Sequence, residues 1–393
     1  MEAMKNSAEK KQQSPKRVGI VHVPYLVPGG EEVHVEALTR SYEALGYETF
    51  PFARSFLAKS ASTAAITSLR GGSEEEWNAL LASQNITFLH LHNIHPFLGP
   101  AFLRWILEKQ VPALVTIHNH RFYCTNGLAL YQGEICKACR GSASVARPIL
   151  WNCNRSLGKS VYHSLALKQI REGNLLEQAA LSILAPTPYM AAELKASGIR
   201  AEKIRVFAHG IDISAVETAS NAKGGDIIFV ARLSEEKGVR CLLAVVPLLP
   251  QFSFVVIGEG ELKNEVREAA SRHENLRFIE RAPRAQVLAE MKASRVACVP
   301  SLCNESFSLV AGEALSLGLR LVVSDSESLQ HFREAPFHAV SAEVRRPAIL
   351  AEKLSTALAQ PKLSSAEVLL LKERLGLSDF QDRLRHLLQE LGL

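Results

Sequence analysis

From Arg17 onward the chain alternates short apolar runs with stretches whose apolar residues recur every three or four positions. The runs have the length of buried strands, and the periodic stretches have the repeat of amphipathic helices. In the first half, strands are expected at 18–23, 49–52, 86–91, 113–117, 181–185 and 203–207, and helices at 31–45 and 101–110. Val33, Ala37, Leu38 and Leu45 share one face of the first helix, which Gly46 stops. A further helix is marked by Thr187 as its cap, Pro188 at its first position and Gly198 as its stop. The second half repeats the rhythm, with strands at 226–231, 252–257, 276–279, 296–299 and 319–323. Between them lie helical stretches at 238–249, 262–272, 285–293 and 308–316.

Strands alternating with helices imply parallel sheets covered on both faces. The pattern therefore predicts an α/β protein of two Rossmann-like, doubly wound domains facing a cleft. Their expected extents are 17–208 and 209–377, joined near 209–224, with a tail at 1–16 too polar to bury. Residues 378–393 form an amphipathic helix whose apolar side carries Phe380, Leu384, Leu387 and Leu388, expected to pack back on the first domain. Ligands of open parallel sheets bind beyond the carboxyl ends of the strands, so the cleft is the expected site.

Composition narrows the class. Hydrophobic residues make up 47% and charged residues 22% of 393, which excludes a largely disordered chain. No apolar run approaches the roughly 20 residues that span a bilayer. The polar, lysine-bearing start lacks an apolar stretch, so a cytoplasmic protein is expected. A net charge of +5 does not point to nucleic acid, and the tail lysines fit solvent as well as an acidic membrane surface.

Four segments carry candidate chemistry. In ESFSLVAGE, residues 305–313, Glu305 falls in the loop after a strand and Glu313 inside the following helix. The amides of Ser308 and Leu309 would stand at the positive end of that helix, an anion site, although a solvated capping arrangement fits the same letters. In ARLSEEKG, residues 231–238, Arg232 and Lys237 follow a strand and suit a pyrophosphate; a pair of surface cations is the plainer reading. Gly258 and Gly260 end another strand, where a lone G-x-G is weak evidence for phosphate. Gly29 and Gly30, after Pro28, permit close backbone approach or simply make a turn. His118, His120, His90, His92 and His95 cluster at neighbouring strand ends.

Taken in order, these segments, with "IGEGEL", "APTPYMAAEL" and "PGGEEVHVEALTRSYEALGYE", resemble the retaining glycosyltransferases of family 4, which have the GT-B fold. The resemblance covers nearly the whole chain from Arg17. It implies transfer of a sugar from a nucleotide-diphosphate sugar, a UDP- or GDP-sugar, to a hydroxyl acceptor without a catalytic metal. Such acceptors include saccharides, lipid-linked sugars and small molecules, so peripheral membrane contact is consistent with it. By the same resemblance Arg232 and Lys237 neutralise the departing diphosphate, and Glu305 orients the donor sugar. Phe307, Ser308 and Leu309 hold sugar and phosphate, Glu313 grips the ribose, and Arg281 and Ala282 meet the base. Gly29 and Gly30 lie near the diphosphate, and His118 lies beside the reacting sugar. Ser308 and Glu280 stand where the family commonly has glycine. An epimerase or hydrolase on the same fold, or a silent binding protein, remains the alternative.

Cys124, Cys136, Cys139 and Cys153 fall in a glycine-rich insertion, 121–158. One C-x-x-C knuckle with two flanking cysteines can hold a structural zinc; free thiols or a labile disulfide fit the spacing too. A similar cysteine-bearing insertion occurs in a subgroup of the family.

Overall fold

The computed structural model describes residues 16–24, 29–52, 61–71, 73–94, 98–141, 146–218 and 222–393. The expected tail as far as residue 15, Pro28, His95 and the 219–221 part of the expected join lie outside the described residues.

The first sheet contains β1 (Arg17–His22), β2 (Glu48–Pro51), β3 (Phe88–Asn93) and β4 (Ala113–Thr116). A small antiparallel hairpin, β5 (Leu130–Tyr131) and β6 (Glu134–Ile135), interrupts it before β7 (Ser182–Ala185) and β8 (Ile204–Val206). Its strand order is β2-β1-β3-β4-β7-β8, with every pairing parallel. The second sheet holds β9 (Ile227–Val230), β10 (Phe254–Ile257), β11 (Leu276–Ile279), β12 (Val296–Val299), β13 (Arg320–Ser324) and β14 (Val340–Ala342). Its order is β11-β10-β9-β12-β13-β14, again all parallel.

Each order reverses once, between β1 and β3 and between β9 and β12, and a crevice opens where it does. In the second sheet the opening is visible in the register. β9 pairs with β10 from Ile227 to Val230, but with β12 only at Ile227 and Ile228. The two strands part toward their carboxyl ends, and the loops that follow them carry the candidate cations and carboxylate.

The chain crosses between the lobes near Ile211 and returns at Gly376, where those two residues form an isolated bridge. The last helix, Leu377–Glu390, buries Phe380, Leu384, Leu387 and Leu388 against Val18, Ile20, Phe88, Leu114 and Leu184 of the first sheet. Burial of each such side chain contributes about 1.5–3 kcal/mol, enough to anchor the helix there.

Two local expectations need correction. The helix expected over 238–249 stops early, as Val239–Leu243, and resumes as a 3-10 turn, Val246–Leu248, with Pro247 in its first turn. Proline cannot donate to a continuing helix, which accounts for the break. The strand expected at 86–91 instead runs Phe88–Asn93, so His90 and His92 lie inside it rather than at or beyond its end. His90 is accommodated because its ring is bonded on both sides, Nδ1 to the Tyr42 hydroxyl and Nε2 to Thr116 Oγ1, each at 2.8 Å.

Candidate functional site

The loop after β9 is drawn onto the end of β12 by a close backbone approach. Gly238 has φ of 73°, and a Cβ there would lie 1.8 Å from the Pro300 carbonyl oxygen. Only glycine fits that contact. It brings Lys237 against the loop that follows Pro300. Lys237 Nζ donates to Glu305 Oε1 at 2.8 Å, and Ser301 Oγ donates to the same oxygen. The Glu305 amide donates to Ser328 Oγ at 2.9 Å, fixing the backbone below the carboxylate.

Lys237 and Glu305 are both largely out of solvent, and their charges depend on each other. Burial alone would lower the Lys237 pKa, yet the Glu305 charge outweighs it and holds the ammonium at about 12. Burial would raise the Glu305 pKa, but Lys237 holds it below the ordinary carboxylate range. Arg232 is more open and is oriented by Glu236, whose Oε1 accepts from its Nη2 at 2.6 Å.

These cations line a cavity of about 230 Å³ with Glu305, Ser308, Leu309 and Val310 of the second lobe and Gly29 and Gly30 of the first. The helix Leu309–Ser316 begins there, so its first amides, free of intrahelical partners, add positive potential. Ser308 precedes it in a left-handed conformation, φ 71°, a geometry glycine adopts at no cost. Gly30 reaches across the cleft to the Leu309 side chain, 3.3 Å from where its Cβ would be.

A second cavity of about 520 Å³ continues from the first, sharing Gly29, Gly30, Arg232 and Leu309. It adds Gly258, Glu280, Arg281, Ala282, Arg284 and Glu313. Burial pushes the Glu313 carboxyl above its ordinary value, and Arg284 offsets this only in part through a 2.7 Å bond from Nη2 to Oε1. Glu280 is turned toward Lys263 and Arg267, and Arg281 pairs with Glu259.

Three sequence-predicted residues sit elsewhere. Phe307 is buried in the second lobe's core, its ring 5.1 Å from that of His209, and lines neither cavity. Gly260 is also absent from both linings; a Cβ there would lie 2.4 Å from the Leu233 carbonyl oxygen, so backbone packing explains that glycine. Gly258 lines the larger cavity but has the same kind of constraint, 1.9 Å from the Ala231 oxygen. His118 borders a separate cavity of about 60 Å³ with Asn93, Asn119 and Arg121.

His118 belongs to a cluster of imidazoles that sequence reasoning saw only in part. Its Nε2 lies 2.9 Å from His92 Nδ1, and His34 stacks on His209 with centroids 3.7 Å apart. Burial keeps His34 and His90 near a pKa of about 3 and lowers His92, His118 and His209 as well, so the cluster is neutral. His22 is the exception: burial is outweighed by Glu31 and Glu32, which raise it to about 9. One nitrogen each of His34, His92 and His118 lies within 4.8 Å of the others, but the His92–His118 contact already uses one from each of those two rings. Arg284, Ser301, Ser328, His34 and His209 were not singled out beforehand. A signal existed for Arg284, since a cation in the first turn of Arg284–Ala293 opposes the helix dipole.

The insertion cysteines are all unbridged and line one small cavity with Tyr123, Tyr131 and Trp151. No helix among the described residues is long and apolar enough to cross a membrane.

Comparison with known proteins agrees with this geometry. The model for glycosyltransferase family 4 matches residues 28–215, and that for glycosyl transferases group 1 matches residues 211–367. The chain is 27% identical over 333 residues to the phosphatidyl-myo-inositol mannosyltransferase of Mycolicibacterium smegmatis, covering 80% of this chain and 77% of the relative. Sucrose-phosphate synthase from Thermosynechococcus elongatus has the same fold, with a TM-score of 0.68 at 16% identity over 96% of this chain and 99% of that one. Anabaena HepE in complex with UDP and glucose superposes with a TM-score of 0.62 at 15% identity, over 95% of this chain and 100% of its own. With two parallel-sheet lobes around a cation-lined cleft and both family models matched in sequence, the chain belongs to glycosyltransferase family 4 and is a GT-B glycosyltransferase.

Proposed function

We propose that the protein transfers a sugar, with retention at the anomeric carbon, from a UDP- or GDP-sugar to a hydroxyl acceptor of cell-surface polysaccharide, glycolipid or glycosylated metabolite assembly. The observation that carries this reading is the meeting of Lys237, Arg232, Glu305 and the start of Leu309–Ser316 on one cavity, opposite Gly29 and Gly30. Breaking the anomeric bond leaves negative charge on the diphosphate. Lys237, Arg232 and the Ser308 and Leu309 amides are fixed where they stabilise it, without a metal in that role. Glu305 orients the sugar hydroxyls. Glu313 takes the ribose, with the Gly258, Arg281 and Ala282 backbone toward the base, in the larger cavity. His118 borders the acceptor side, since it lines neither of these cavities.

The measurement is nucleotide release from a panel of UDP-, GDP- and ADP-sugars, with and without candidate acceptors. Acceptor-dependent release with retained anomeric configuration is expected. Equal release without acceptor would make the protein a hydrolase.

We further propose that the acceptor is met at an anionic lipid surface. Residues 137–171 contain seven lysines and arginines and no aspartate or glutamate. In the same segment Leu150 is 80% and Leu157 61% exposed, with Trp151 and Leu165 at 40% each. Cations beside exposed apolar side chains suit acidic headgroups. The Mycolicibacterium relative is, by its name, a transferase acting on phosphatidyl-myo-inositol. Co-sedimentation with phosphatidylglycerol vesicles is expected, and it should fall sharply in the Leu150→Ser/Leu157→Ser variant; equal binding to neutral vesicles would count against an electrostatic component.

A further inference from the structure

We propose that Cys124, Cys136, Cys139 and Cys153 bind one zinc ion through four thiolates, and that this ion orders a strap joining the first lobe to the second. The inference rests on the insertion alone and stands whichever donor the enzyme uses.

The four thiols come from three separate stretches: the turn after His120–Phe122, the knuckle after the β5–β6 hairpin, and the turn after the helix Ala146–Leu150. They line one cavity of about 10 Å³, room for a small ion and little else. No carboxylate or imidazole shares that lining, so the donor set is sulfur only. Thiolates select zinc and other soft ions over magnesium or calcium. Among the described residues no three of these sulfurs come within 4.8 Å of one another, as the histidine nitrogens described above do, so holding an ion requires the knuckle to close inward.

Asn126 ties the Cys124 turn to the Cys153 turn. Cys124 Sγ donates to Asn126 Oδ1 at 3.0 Å, and Asn126 Nδ2 donates to the Leu130 and Cys153 carbonyls at 2.9 and 3.4 Å. Gly127 and Ala129, in the same turn, take left-handed conformations, φ 78° and 50°, the second unfavourable for a residue with a Cβ.

The insertion has little apolar core of its own, although the Arg140 guanidinium is bonded to Glu193 and Arg171 Nη1 donates to the Cys139 carbonyl at 2.8 Å. Its hairpin strands are two residues each, and Ile135, Leu150 and Trp151 are exposed. A metal supplies what such a segment lacks in apolar core. Yet the insertion makes specific bonds to the opposite lobe. Lys137 Nζ meets Glu327 Oε2 at 2.8 Å, and the Arg345 guanidinium donates to the Gly133 carbonyl and lies 3.7 Å from Glu134. Exposed pairs like these contribute about 0–1 kcal/mol each and cannot order a loop that is not already fixed. Lys137 and Cys136 are neighbours, so fixing the knuckle fixes the strap.

The test uses the full chain prepared under reducing conditions and supplied with zinc. Elemental analysis should give about one zinc per chain, as expected for a single tetrathiolate site. Cobalt exchanged into the native protein should show the charge-transfer absorption of thiolate ligands. The Cys136→Ser/Cys139→Ser variant should lose the metal, whereas Cys241→Ser should keep it. Chelation of the native chain should speed hydrogen exchange both at 133–139 and around Glu327 and Arg345 across the cleft. A folded, reduced chain without metal, or zinc retained in the double variant, would overturn the site. Unchanged exchange around Glu327 and Arg345 after metal removal would overturn the strap.

Discussion

Replacing Lys237 with alanine is expected to lower kcat by about a hundredfold or more, the scale of losing one fixed charge at a departing anion. The expectation follows from where its ammonium is held. It lines the cavity beside Arg232 and the helix start, and its orientation is fixed by Glu305 at 2.8 Å. The same substitution strands Glu305 without its cation in a buried position, which costs about 3–5 kcal/mol of stability when a buried pair is broken. The two effects separate when Lys237→Met is combined with Glu305→Gln. Removing both charges restores much of the stability, while kcat remains low because neither group is present for the reaction. Recovery of both together would make the pair structural only. The pH response has a definite sign. Glu305 titrates below its ordinary value, so its contribution is present above the unfolded carboxylate range and is lost as pH falls through the lower folded value. Lys237 titrates above its ordinary value, so its contribution is complete below the unfolded lysine pKa and disappears only near pH 12. The pair is therefore intact throughout the neutral range, and a wild-type activity profile should show no loss between these limits from this source.

The alternation of strands and helices was legible because parallel strands buried on both faces read as short apolar runs. β9, β10 and β12 appear in the sequence almost as they do in the fold. β3 was misplaced for the complementary reason: His90 and His92 interrupt its apolar run, and nothing local shows that Tyr42 and Thr116 satisfy the first of them. The site divides in the same way. Glu305 and Lys237 stood out as charges at strand ends, but their contact spans 68 residues and exists only because β9 lies beside β12. Strand order is not written in local periodicity. Arg284, Ser301 and Ser328 act through partners supplied by that order, and the imidazole cluster gathers from β1, β3, the loop after β4, the helix Gly30–Ala44 and the crossing at His209. Each histidine looked ordinary where it stood. Phe307 misled for the opposite reason: Ser308 beside it lines the cavity, while its own ring turns into the core of the second lobe.

Arg284→Met is expected to destabilise the second lobe by about 3–5 kcal/mol at neutral pH, and the loss should shrink on acidification. Glu313 is buried on the helix Leu309–Ser316, and its Oε1 accepts from Arg284 at 2.7 Å. Its pKa is already above the ordinary value, because burial outweighs the guanidinium. A carboxyl raised in the folded state is best tolerated below its unfolded pKa, and its stability contribution is lost as pH rises through the folded value. Removing Arg284 raises that folded value further, widening the range in which ionised Glu313 opposes folding. The difference between variant and wild type, measured by urea unfolding across pH, should therefore be largest near neutrality and smallest in acid. Arg284→Met/Glu313→Gln should recover most of the stability, since an amide does not carry the charge that Arg284 offsets. The double variant should still bind nucleotide poorly if Glu313 holds the ribose, because Gln presents only one acceptor oxygen to a pair of hydroxyls. A pH-independent loss in the single variant would mean that Arg284 acts through its bond to the Asp212 carbonyl, 2.8 Å away, rather than through Glu313.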